Sequence, residues 1–568
     1  MGSSNFDTTY ALALSFAFTA AACNSIVGLD DLSVASAATG GTTPTSGGSS
    51  GSSPQDTSSG GTNDTPADSA HEAGAGGAGE MPAGECTTNQ ECTDMAGTNA
   101  DKTPIAAVCV KPEGRCVPVL SEDCDSITGD YLDDRAILIG SLFSTKGAQG
   151  ATNLPRQQAA ALAVEQINAI GGVPPAAGSS EARPLVLVSC DESTNLVRAA
   201  EHLVKDLHVP AIVGPNTSQD TIDVSTKVTI PNGTVVVTPT AVASSIVSLS
   251  DKDLTWLMVP SDVQRAPLMI SQLNQMEQEL KESRDLAKVK LGIVFRNDAL
   301  GVGTRTSLND LQLNGKGLTD PVNLGNNVEI DGYDAASPDQ RAIVDKYLEF
   351  APDIVVLAGT AEAVTKVLVP LEAEWTGAAR PLYMLIDSTK VPELLTAVAG
   401  NDDLRQRVRG TGITPGPSGK GTPAEAYNGF KIDYDVRYQG SNSAISGMGP
   451  SHDAAYAIGL ALAATRDQPV SGASVATGLR KLAGGSMKLT TLGTNLLAAF
   501  KQLEAGKTIT AVGSFGALDW DESGAVKGGT LEMWCIGGTA EKPAYQSSGL
   551  TFEIMTQLTS GAFKQCGQ

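Results

Sequence analysis

Nine cysteines carry the most explicit chemistry in this sequence: Cys23, Cys86, Cys92, Cys109, Cys116, Cys124, Cys190, Cys535 and Cys566. Four of them crowd into one short stretch, CTTNQEC and then CVKPEGRC. Such density points to an oxidising compartment and disulfides. Zinc is the competing chemistry, but the gap between Cys86 and Cys92 is wider than a zinc knuckle, and the nearby histidine, His71, sits in a low-complexity tract. Four cysteines allow three connectivities, and their spacing leaves the choice open. Of the others, Cys535 and Cys566 share the C-terminal segment, so the expected remaining pairs are Cys124 with Cys190 and Cys535 with Cys566.

A catalytic or metal constellation is harder to find. The histidines are His71, His202, His208 and His452, and none pairs at the spacing that sets two imidazoles on one helix face. GPSGKGT at Gly416 has Gly421 where a phosphate loop needs Ser or Thr after its lysine. The one Gly-x-Ser-x-Gly match, GGSSG, falls in low-complexity sequence where no strand presents a nucleophile. DWDESG at Asp519 resembles a calcium loop, but its twelfth position is Thr530, which offers no bidentate carboxylate. A hairpin turning at Gly524 accounts for it better, with Trp520 and Trp534 as packing residues. No metal or cofactor is expected, and the chain reads as a binder rather than an enzyme. The net charge of −24 excludes nucleic acid and anionic membrane surfaces as partners.

The elements around these residues fall into zones. Tyr10–Ala22 is an apolar run too short to span a bilayer, ending in small residues before Cys23. It resembles a bacterial lipoprotein signal, which implies a signal peptide over 1–22 and lipid on Cys23 as the only link to a membrane. Met1–Tyr10 departs from that pattern in having no Lys or Arg and in carrying Asp7. From Ser36 through Gly79 there is no Val, Leu, Ile, Phe, Tyr or Trp, so 23–83 is expected to be a flexible tether. A Gly/Ser-type coil of that length spans roughly 40 Å on average. The cysteine-rich segment, 84–124, is too small and polar for much of a core and is expected to depend on its disulfides.

From Arg135 onward, short apolar runs alternate with helical patterns. AILIG (136–140), LVLVS (185–189), AIVG (211–214) and Val235–Thr238 read as strands, and so do KLGIVF ending at Phe295, DIVVLAG (353–359) and LYMLID (382–387). The helix after Pro155 presents Ala159, Leu162, Ala163, Ile167 and Ile170 on one face and stops at Gly171–Gly172. This alternation implies parallel sheets of α/β class, and two series of strands imply two doubly wound lobes.

Several landmarks occur in a recognisable order. They are IGSLFSTKGAQGATNLPRQQAAALAVEQINAIGGV, AIVGP, VVVTPTA, VPSD, HDAAYAIGLAL and FGALDWDESGAVKGG. Together they resemble the leucine/isoleucine/valine-binding family of type I periplasmic binding proteins, over Arg135 to Ile536. The resemblance implies two lobes joined by three crossovers, near Pro260, Thr414 and Ala511. Lobe one would combine 135–260 with 415–511, lobe two 261–414 with 512–536, and 537–568 would be an extension. It also implies a ligand cleft between the lobes. In PNTSQD, Thr217 and Ser218 fit the family's hydroxyl at a helix N-terminus, which holds a ligand carboxylate; either could equally cap the helix. In TPTAVASS, Thr240 and Ala241 fall at the ligand-binding loop, with Val242 where the family has a threonine. Leu300 likewise replaces an aromatic. Asp387 aligns with the acid that pairs with a ligand ammonium, and a helix cap before STKVPELL is its alternative role. The function implied is capture of a small amino-acid-like or amine-bearing solute by a monomeric extracytoplasmic protein for an ABC permease. A sensor of the same fold with no transport role is the alternative.

Overall fold

The structure is a computed structural model that describes residues 85–567, except 112, 148–149, 417 and 440–446. The expected signal, the Cys23 anchor and the tether lie outside the described residues. Two sheets organise the rest. The first has the order β1-β3-β2-β4-β5-β6, with β1 Cys124–Thr128, β2 Ile137–Phe143, β3 Leu185–Asp191, β4 Ala211–Val213, β5 Val235–Thr238 and β6 Thr255–Leu257. All neighbours are parallel except β1, which lies antiparallel on β3. The strands β3, β4 and β5 are buried along their whole length, because helices cover both faces of a parallel sheet and leave no wet side.

The second sheet has the order β8-β7-β9-β10-β11-β12-β13-β14. Its strands are β7 Leu291–Arg296, β8 Val328–Tyr333, β9 Ile354–Ala358, β10 Leu382–Leu385, β11 Val408–Thr414, β12 Thr530–Gly538, β13 Pro543–Glu553 and β14 Leu558–Ser560. The first five are parallel and the last three add on antiparallel. This α/β arrangement of two doubly wound lobes is the expected fold class. Among the described residues, no helix is long and apolar enough to cross a membrane.

Three expected boundaries move. The body begins at β1 rather than at Arg135, because Cys124 opens the edge strand and is joined to Cys190 on β3. The residues after Ile536 are no appendage: β13 and β14 complete the second sheet, and Cys535–Cys566 ties the end back to β12. The third crossover lies between Val526 and Thr530 instead of near Ala511. Leu518, Trp520 and Val526 belong to the core of the first lobe, where Trp520 stands edge-on to Trp256 at 5.3 Å and donates to the Leu257 carbonyl. The expected hairpin therefore shrinks to a tight turn, Trp520 bridging Val526 around Gly524, and Trp534 packs in the other lobe.

The cysteine-rich segment folds as a helix, Asn89–Ala96, on a hairpin of Ala107–Val110 with Arg115–Pro118. Thr88 and Glu91 form a capping box at the helix start. Its bridges are Cys86–Cys109 and Cys92–Cys116. The sulfurs of Cys86, Cys92 and Cys116 cluster closely enough to suggest a metal, but each is in a cystine and has no thiolate to offer. The segment is not isolated. Val108, Val110, Val117 and Val119 join a first-lobe core, and Asn89 binds Asp134 and the Tyr131 carbonyl.

Candidate functional site

The C-terminal ends of both sets of parallel strands face each other, the usual place for a ligand in open α/β sheets. From the first lobe come the loops after β4 and β5. From the second come the start of helix Asp262–Arg284, the helix Ala299–Ser307 and the turn after β10. Between them lies a cavity walled by Thr240 and Val242 on one side and Arg265, Leu300, Asp387 and Ser388 on the other. Of the expected ligand residues, Thr240 and Asp387 reach this wall, while Thr217, Ser218 and Ala241 stand behind it.

The first-lobe loops are bonded to one another. Thr217 is a helix cap: its hydroxyl accepts from Asp220 N–H at 3.1 Å and donates to the Asp220 carboxylate at 2.6 Å. The Ser218 hydroxyl accepts from the backbone amides of Val242 and Ala243, both at 3.2 Å. The Ala241 amide donates to Thr238 Oγ1, and Thr240 Oγ1 donates to the Asn216 carbonyl at 2.9 Å. The amides of Asp220, Ala241, Val242 and Ala243 are thus already paired. Val242 and Leu300, the two departures from the family pattern, share one apolar cluster that runs across the cleft.

Asp387 does not serve as the helix cap that was the alternative to a ligand role. The helix after it starts at Pro392 behind Val391, so Asp387 is not its cap. Its carboxylate instead meets Arg265 Nη1 at 2.6 Å, with side-chain exposures of 5% and 11%. Arg265 Nε donates to the Pro260 carbonyl at 2.8 Å, on the first crossover, and Nη2 is buried without a hydrogen-bond partner. Arg265 was invisible to motif matching, but one signal exists. It lies with Asp262, Ala266 and Met269 on the buried face of its helix, where an arginine needs a reason to be.

More charge lies at neighbouring strand ends. In the second lobe Arg296 pairs with Asp298 and Glu362, and Tyr333 donates to Glu362 at 2.9 Å. Burial pushes Asp298 up, and Arg296 opposes the shift. In the first lobe burial drives Glu192 well above the carboxylate range, reinforced by Asp220 and Asp191 and offset in part by Ser144. Asp220 is raised by its own burial, while Arg296 acts on it across the cleft in the opposite sense.

His202 and His452 serve structure. His202 sits between the Val119 carbonyl and Asp206, and His452 bonds Gln166. In DWDESG, Asp521 Oδ1 accepts from the amides of Ser523 and Ala525, so it holds a turn.

A two-lobed α/β body with a cleft cavity between the lobes is the type I periplasmic binding protein fold. Solved structures share it. Over 72% of this chain, a leucine-binding protein LivK from Thermotoga maritima matches at 14% identity and TM-score 0.50, covering 98% of its own chain. A type 1 periplasmic binding protein from Bordetella pertussis matches at 16% identity and TM-score 0.51, covering 100% of its chain. A branched-chain amino acid ABC transporter protein from Thermus thermophilus, with bound valine, matches at 12% identity and TM-score 0.50, covering 96% of its chain. No family model matches the sequence, and no curated protein matches it.

Proposed function

We propose that this chain is an extracytoplasmic solute-binding protein that captures a small amino-acid-like ligand between its lobes for an ABC importer. The observation that carries the reading is the cleft cavity, walled by both lobes and holding a buried charged pair at the strand ends. An apolar wall with a few convergent polar groups is the ordinary make-up of a small-molecule site. Four cystines fit an oxidising compartment. In this reading Cys23 carries the lipid anchor, the protein is a monomer, and no catalytic step is assigned to it. A thermal-shift screen of amino acids, small peptides, amides and carboxylates tests it, since a ligand that binds only the folded state raises the melting temperature. A flat response across the panel overturns it.

One observation favours a sensor with no transport role. The cystine module docks on the first lobe and adds surface that capture of a solute does not use. Permease and ATPase genes beside this one support import, and a signalling gene supports sensing.

A further inference from the structure

The resemblance to amino-acid binders suggests a carboxylate grip in the first lobe, and its hydroxyls there are already engaged within the protein. Ser218 occupies the amides of Val242 and Ala243, Thr217 caps its helix, and Thr240 donates inward to Asn216. Across the cleft the situation is reversed. Arg265 lines the cavity and is 9% exposed, two of its nitrogens are fixed by Asp387 and Pro260, and Nη2 is left as a buried donor without an acceptor. A buried guanidinium nitrogen without an acceptor is costly, and a carboxylate is the acceptor its geometry suits best.

Resting on the solute-binding reading above, we infer that the ligand's carboxylate is held by Arg265 of the second lobe and not by the hydroxyl loops of the first. Asp387 is a positioning residue: it holds Nη1 and so leaves Nη2 as the nitrogen available to the ligand. Its charge already neutralises the guanidinium, so a bound carboxylate leaves the group with a net negative charge. The site therefore favours a zwitterion, whose ammonium offsets that charge, over a dianion. The apolar part of the wall, Val242, Ala266, Met269 and Leu300, suits a small aliphatic side chain. Because Arg265 also holds the Pro260 carbonyl, ligand contact is made one residue network away from the first crossover.

The test compares acids with their amides, which remove only the carboxylate charge. Calorimetry on the intact protein uses alanine, valine and leucine beside alaninamide, valinamide and leucinamide. Wild type should bind at least one acid about 30-fold or more tighter than its amide, in line with a desolvated charge pair. Arg265→Gln should bring that ratio close to one, Arg265→Lys should recover part of it, and Ser218→Ala should leave it intact. General damage to the fold weakens acid and amide together and does not move the ratio, so a ratio kept in Arg265→Gln overturns the inference whatever its stability. A ratio lost in Ser218→Ala but kept in Arg265→Gln returns the carboxylate to the first lobe and leaves solute binding standing. Failure of all six probes to bind the wild type overturns both.

Discussion

Replacing Asp387 by alanine removes the counter-charge of a guanidinium that has almost no access to water. At a charge separation of about 4 Å and an effective dielectric near 20, the lost attraction is about 4 kcal/mol. Breaking one side of a buried pair typically costs 3–5 kcal/mol, which agrees. The second lobe is a unit of about 200 residues, whose unfolding entropy is about 0.4 kcal/mol per degree. Asp387→Ala should therefore lower the melting temperature of that lobe by about 7–12 °C. The double replacement Arg265→Met with Asp387→Leu keeps similar volume and leaves no orphan charge, so it should lie within about 3 °C of wild type or above it. Differential scanning calorimetry of the ligand-free protein reads both. A fall below about 2 °C for Asp387→Ala, or a double variant as unstable as the single, refutes the assignment of this pair as buried and mutually dependent.

Opening Cys535–Cys566 with paired serines frees a loop of 31 residues of sequence separation and should lower second-lobe stability by about 3–4 kcal/mol; an unchanged melting curve contradicts the role of the C-terminal strands in that sheet. The Glu192 carboxyl is raised above its unfolded value, so the stabilisation linked to it is complete below the unfolded pKa and is lost as pH rises through the folded one. Glu192→Gln stays neutral, and its melting temperature should fall less than wild type's as pH rises above the ordinary glutamate range; parallel curves for the two proteins count against the assignment. Asp453 accepts from Thr491 and from both the amide and the hydroxyl of Ser514. Asp453→Ala orphans the Ser514 amide beside the third crossover, so stability should drop by about 2–3 kcal/mol and limited proteolysis should move to residues 513–529; cleavage elsewhere first argues against a latch at this point.

Much of the architecture was legible because parallel strands covered on both faces are written as unbroken apolar runs. LVLVS, AIVG, DIVVLAG and LYMLID all became such strands. Strands with a wetter face escaped. VEIDGY at β8 is an edge strand with four of six positions only partly covered or exposed, and β13 mixes polar and apolar residues along its length. The crossover near Gly529 was misplaced because Trp520 is held by Trp256, far earlier in the chain, and local spacing around DWDESG suggests a hairpin instead. The site shows the same division. Asp387 was found by its place at a strand end, but its partner is 122 residues away and only the fold brings Arg265 to it.

If Cys23 is the anchor proposed above, the docking of the cystine module decides which half of the molecule is held. Residues ahead of Glu85 reach the body through a module bonded to the first lobe at Asn89 and Asp134 and followed at once by β1, itself riveted to β3 through Cys124–Cys190. In that proposal the first lobe is the stator. Any hinge movement about the crossovers is a rotation of the second lobe, and an attachment at the N-terminal side transmits none of it. A partner that reports closure must touch the rotor, whose outer edge is made of the C-terminal strands β13 and β14.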